Sequence, residues 1–177
     1  MEIKSKDLLE FVKSVKSAKT FIPKKLNQNV VKEILEFGRW VPFDNQPWKI
    51  NVVSHPTIKR MLAELTPLGE TIESAYFDLV IFLDSAKCTD RVKDLQATGA
   101  FVQNILLGIH AMPPLGAIWI TDIQSNKKEV DEIFRLNLQK FELMGIIAIG
   151  LVEEKGEMKE SAKKKENRPL DELTESF

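Results

Sequence analysis

One cysteine, Cys88, and two histidines, His55 and His110, are all the chain offers among its 177 residues. A lone thiol excludes an intramolecular disulfide framework and fits a reducing compartment. It also removes the thiolate and imidazole sets from which zinc sites are built. Neither sign of charge is in surplus: 25 Lys and Arg stand against 26 Asp and Glu, a formal net charge of −1. That balance excludes the broad basic surface of a nucleic-acid binder, and its local basic clusters suit a small anion better than a polyanion. The opening residues, Met1 to Asp7, lack the apolar core of a secretory leader. The longest apolar run, about Leu143 to Val152, is too short to cross a bilayer. The expectation is a soluble, cytoplasmic protein that binds neither nucleic acid nor membrane. Phosphate-loop and Gly-x-Gly-x-x-Gly signatures are absent, as are internal repeats.

What remains is an ordinary globular composition, 44% hydrophobic and 29% charged, in a chain long enough to bury one substantial core. Leu8, Leu9, Phe11, Val12 and Val15 recur at helical spacing, predicting a helix from Ser5 to about Lys16. A second helix is expected from a cap near Asn27 to Asn29, with Val31, Ile34, Leu35 and Gly38 on one face. Pro42 stops it by pushing Val41 out of helical geometry. Strands are expected at Ile50 to Ser54, Phe77 to Leu83, Leu115 to Thr121 and Gly145 to Val152. Between the first two, Ile58, Met61 and Leu62 mark a short helix, and Asp94 to about Met112 is the longest, apolar over a wide arc. Asn126 with Glu129 fits a capping box opening one more helix. From Glu153 the chain turns polar and rich in Lys and Glu. Helices interspersed with strands imply layers rather than a bundle. The chain reads as a single domain, 1–177, with 153–177 as a C-terminal arm.

Three clusters carry chemistry. Lys16, Ser17 and Lys19 lie where the first helix gives way to loop and can present charge-assisted donors to a phosphate. Lysines are also common in a last helical turn, where they offset the dipole. Asn45 and Gln46, before Pro47 and Trp48, supply donors and acceptors suited to the edge of a polar ring, or simply form a turn. Lys163 to Lys165 and Arg168 form a basic stretch that is either solvated or docked through Leu170 and Leu173. Cys88 has no activating histidine in view, His110 reads as helix packing, and Trp48 and Trp119 as core. Asp78 and Asp84 flank a buried strand, with no second carboxylate spaced for acid–base work.

In order and position these pieces resemble the nitroreductase family of FMN-dependent oxidoreductases, across nearly the whole chain. Val15 to Phe21 is similar to that family's Arg-Arg-Ser-x-Arg-x-Phe. Gly38-Arg39-Trp40-Val41-Pro42 followed by Asn45-Gln46-Pro47-Trp48 is similar to its Ala-Arg-Trp-Ala-Pro turn and Asn-x-Gln-Pro-Trp segment. Leu115-Gly116-Ala117-Ile118-Trp119-Ile120 resembles its Gly-Leu-Gly-x-x-Trp-Ile-Gly, and Arg168-Pro169-Leu170-Asp171-Glu172 its Arg-x-Pro-Leu-Glu-Glu close. Lysines at 16 and 19 replace planar arginine forks with point charges.

The resemblance implies an α+β fold, a three-layer sandwich with a central, mostly antiparallel sheet flanked by helices, assembled as a homodimer with FMN at the interface. It places Lys16, Ser17, Lys19, Lys165 and Arg168 on the phosphate and polar flavin edge. Asn45 and Gln46 fall on the ring, with Gly116 and Ala117 beside its reactive region. The implied chemistry is hydride transfer from NADH or NADPH through flavin N5 to an electron-poor acceptor such as a nitroaromatic or quinone, with no catalytic side chain required. The alternative is a flavin-binding module of the same fold with little or no turnover.

Overall fold

Helices and strands follow one another in the expected order except for one added helix, α4: α1 (Ser5–Ser14), α2 (Asn29–Arg39), β1 (Trp48–Val53), α3 (Pro56–Ala63), α4 (Gly69–Ser74), β2 (Phe77–Asp84), α5 (Arg91–His110), β3 (Leu115–Ile120), α6 (Lys127–Phe134) and β4 (Phe141–Leu151). The computed structural model describes residues 3–27, 29–43, 45–137, 139–153 and 167–175.

The four strands form one antiparallel sheet in the order β1-β2-β4-β3. Every residue of β2 is buried, because both faces of this central strand are covered. Phe77, Leu79, Ile81 and Leu83 point into one apolar cluster with Ile34 of α2 and Phe101, Ile105 and Ile109 of α5. Val80 and Phe82 point into the other, with Leu62 of α3, Ile72 of α4 and Val130 of α6. The period-2 alternation of a strand thus feeds two cores, giving the three-layer α+β sandwich that the resemblance implies. The layer of α2 and α5 closes tightly at two glycines. A Cβ on Gly38 would stand 2.5 Å from the Phe101 ring, and one on Gly108 2.3 Å from the Phe37 ring.

β4 begins four residues before the expected Gly145, because Gly145 is a bulge within the strand rather than its start. The pairing with β2 shifts between Ile81 and Phe82, and Gly145 takes a φ of 120°. Phe141, Leu143, Ile146 and Ala148 then all reach one core, while Met144, Ile147 and Ile149 reach the other. One extra residue resets the alternation, so both cores stay filled along the strand.

Four other features differ for local reasons. α1 stops at Ser14, two residues early, since Val15 is already extended. α5 starts at Arg91 because Asp90 Oδ1 accepts from the N–H groups of Val92 and Lys93. The capping box at Asn126 does not form: its amide donates to Leu65 O at 2.8 Å, and a 3₁₀ turn, Asp122–Asn126, precedes α6. α4, absent from the sequence expectations, is a single short helix between α3 and β2.

Candidate functional site

The residues after α1 run as an extended strap across the ends of β3 and β4. Ala18 N–H donates to Ala117 O and Ile22 N–H to Leu151 O, each at 2.9 Å. Glycines beneath make the room. A Cβ on Gly116 would lie 2.8 Å from Ala18 Cβ, and one on Gly150 2.7 Å from the Phe21 ring. Ala18 and Phe21 are buried by this contact, while Lys16, Ser17 and Lys19 stay exposed. Thr71 Oγ1 donates to Lys19 O at 2.9 Å, fixing the strap from the α4 side. Among the described residues, neither lysine ammonium nor the Ser17 hydroxyl has a partner. The structure therefore gathers Lys16, Ser17 and Lys19 with Gly116 and Ala117, on a fixed backbone, with donors uncommitted.

Asn45 and Gln46 are held elsewhere. Asn45 Nδ2 donates to Lys87 O and lies 3.5 Å from Asp94 Oδ1. Asp94, buried in the first turn of α5, also accepts from the N–H groups of Thr89 and Asp90 at 3.0 and 3.2 Å. Asn45 Oδ1 has no partner among the described residues. Gln46 sits in the left-handed region, φ 40°, with Nε2 donating to Arg39 O at 3.2 Å. Beside it opens a cavity of about 330 Å³ reaching Arg39, Trp40 and Phe43. Trp40 is 74% exposed, with the Arg39 guanidinium 5.6 Å above its ring. Trp48 packs on Phe101, ring centres 4.6 Å apart, as the structural role expected for it requires.

These two sets lie at opposite ends of α5. Ser14 Oγ, two residues before Lys16, is 2.7 Å from His110 Nε2 at the last residue of α5, and the Phe11 ring packs against the same imidazole, tilted by 51° with centres 5.1 Å apart. Asn45 touches the first turn. A helix of twenty residues is about 30 Å long, so one chain does not bring the strap and the Asn45 turn together. Arg168 is exposed and folds back on Glu172, with Nη2 donating to Glu172 O at 3.0 Å. No described contact ties it to the strap. Lys165 lies outside the described residues.

Two features escape sequence reading. Lys59, on α3, is buried, and its Nζ donates to Glu73 O at 3.0 Å and to Ala75 O. Asp78 does not flank β2 but sits inside it, wholly buried, its carboxylate without a hydrogen bond among the described residues. Burial pushes its pKa up to about 8, against a weaker pull from Lys59, whose own pKa burial lowers. The signal was invisible because a lysine on a short amphipathic helix reads as solvated. Cys88 answers the other way: burial first, then Asp94, raises its thiol to about 11, which leaves it unreactive. Among the described residues no cluster of His, Cys, Asp and Glu could hold a metal ion.

The architecture has close counterparts among solved structures. A Desulfovibrio desulfuricans protein named as a nitroreductase, in complex with FMN, superimposes with a TM-score of 0.84. The match covers 100% of this chain and 99% of that one at 29% identity. The chain has the nitroreductase fold. A Bacillus subtilis protein named as a nitroreductase matches at TM-score 0.83, covering 98% of this chain and all of the other at 14% identity. A Bacteroides thetaiotaomicron protein named as an NADH dehydrogenase/NAD(P)H nitroreductase matches at TM-score 0.73, 91% and 95% coverage and 23% identity. No sequence-family model and no curated protein sequence matches.

Within the nitroreductase fold, the strap over Gly116 is where this chain presents uncommitted cations on a fixed backbone. Its backbone is pinned at Ala18 and Ile22, its cations have no partner among the described residues, and the glycine floor lets Ala18 and Phe21 seat where side chains would otherwise stand.

Proposed function

We propose that this chain is an FMN-dependent oxidoreductase that moves hydride from NADH or NADPH to an electron-poor acceptor such as a nitroaromatic or quinone, and that it works as a homodimer. The observation that carries the reading is the strap: Lys16, Ser17 and Lys19 stand uncommitted beside Gly116 and Ala117, on a chain whose full-length structural counterpart holds FMN. The name of the Bacteroides counterpart supports NAD(P)H as donor.

Bound FMN would supply a hydride-accepting N5. The protein's residues then have four tasks. Lys16 and Lys19 bind the phosphate as point charges, with Ser17 adding a neutral donor. Gly116 lets the strap seat closely, since any side chain there would collide with Ala18 and Val152, and the backbone at 116 and 117 lies beside the ring. Asn45 Oδ1 and Gln46 offer polar contacts to the ring edge. Arg168, with Lys165, adds charge from the C-terminal arm.

The separation along α5 supports the homodimer. A second copy placing its Asn45 turn against the strap closes a distance that one chain leaves open. The apolar face of α1, with Leu8, Leu9 and Val12 exposed, together with Ile3 just before it and the exposed Trp40, is a surface that such a partner would cover.

The deciding experiment is anaerobic titration of the purified, FMN-reconstituted chain. Yellow colour that bleaches on adding NADH or NADPH, and returns with a quinone or nitroaromatic, is expected. Persistent yellow would leave a flavin-binding module without turnover, and a chain taking up no FMN would end both readings.

A further inference from the structure

A second basic site lies where the strap continues past Phe21, in a cavity of about 620 Å³, a volume typical of small-molecule pockets. Its walls are the strap's continuation from Phe21 to Lys25, the start of α3, and the turn from Glu73 to Tyr76. These walls are pinned: Ile22 N–H donates to Leu151 O, and Tyr76 Oη donates to Leu26 O at 3.3 Å.

Its charge is one-sided. Lys24, Lys25, Lys59 and Arg60 line it, against a single acid, Glu73. Lys59 is spent on the carbonyl oxygens of Glu73 and Ala75 at the end of α4. That contact neutralises the negative end of the helix, which would otherwise face an incoming anion. Lys24, Lys25 and Arg60 are exposed and have no hydrogen-bond or ion-pair partner among the described residues. The remaining surface is mostly apolar, formed by Phe21, Ile22, Pro23, Pro56 and Tyr76. Three uncommitted cations over prolines and aromatic rings match a phosphate joined to a flat ring. A bare ion would leave the apolar wall wet, and a bare ring would leave the cations unpaired.

We propose that this cavity binds a phosphate monoester carrying a flat ring, of the class of a nucleoside monophosphate, at a site separate from that of the strap lysines. Arg60 and Lys25 pair with the phosphate, and the Phe21, Pro23 and Tyr76 wall takes the ring. The inference does not rest on the flavin reading, because the two sites share no side chain.

The test is calorimetric titration of AMP, adenosine and inorganic phosphate into the full chain with FMN in excess, so that any flavin site is filled. AMP is expected to bind at least about tenfold more tightly than adenosine, the worth of one charge-assisted contact, and more tightly than phosphate alone. Lys25→Ala with Arg60→Ala should weaken AMP at least about tenfold and leave flavin retention unchanged. Lys25→Gln with Arg60→Gln serves if circular dichroism shows the first variant unfolded. Adenosine binding as well as AMP, AMP affinity unchanged in the variants, no binding of AMP, or AMP displaced by FMN would each overturn the proposal. If the chain takes no FMN yet binds AMP through Arg60, the flavin reading falls and this one stands.

Discussion

Lys59 Nζ stands 4.0 Å from Asp78 Oδ2 in the interior, close enough to attract and too far to hydrogen-bond. Asp78 carries the energetic consequence. Burial holds its pKa near 8 in the folded chain, against about 3.9 when unfolded. Between those values the folded protein keeps a proton that the unfolded chain has lost. Stability contributed by Asp78 is therefore full below about pH 4, declines as pH rises through the window, and is gone above about 8. The slope reaches at most about 1.4 kcal/mol per pH unit. Chemical denaturation at pH 5, 6, 7 and 8 should show it, and Asp78→Asn should flatten the curve and be the more stable protein at pH 8. A wild-type curve rising across that range would refute the assignment.

Gly145→Ala should destabilise the fold by about 2 to 4 kcal/mol. The φ of 120° suits glycine alone, and the added Cβ would stand 2.6 Å from Ile120 O and 2.7 Å from Trp119 Nε1. The measurement is the thermal midpoint, with a drop of at least about 5 °C expected. An unchanged midpoint would mean that the bulge does not set the register.

Lys16→Ala with Arg168→Ala should weaken FMN retention at least about tenfold while leaving far-UV circular dichroism unchanged. Both side chains are exposed and neither anchors a core contact. Equal flavin affinity in the variant would remove both residues from the phosphate contact.

Cys88 should resist alkylation at pH 8. Its thiol is half-buried, contacts Asp84 O at 3.4 Å and is raised to about 11. Labelling by a soluble disulfide reagent should be slow in the native protein and fast in denaturant. Cys88→Ser should keep hydride transfer intact. Rapid native labelling would show an opening that the structure lacks.

The layered architecture was legible because its signals are local. Mostly apolar runs marked β2 and the end of β4, and the wide apolar arc of α5 announced a helix covered by neighbours. Where signals were long-range, sequence reasoning stopped short. Gly145 looked like a strand's beginning, since a bulge is visible only against its partner Ile81. Asn126 looked like a cap, but its amide is taken by Leu65, sixty-one residues away. α4 carries only Thr71 and Ile72 into the core, too few for a helical period. Of the candidate site, Lys16 to Lys19 and Gly116 are joined by packing that composition does not encode. Their pairing was legible only through resemblance to a family. The buried Asp78 and the basic cavity at Lys24, Lys25 and Arg60 carried no recognised motif.

The strap also dictates an order of assembly. Ala18 and Ile22 leave the ribosome long before Ala117 and Leu151, the backbone groups that receive them. Contacts between residues so distant in sequence bear the largest loop-closure cost and form late. The segment made among the first is thus seated among the last, after β4 has completed the sheet. Until then Lys16 and Lys19 belong to an open chain, and the surface they share with Gly116 exists only once the sheet beneath it does.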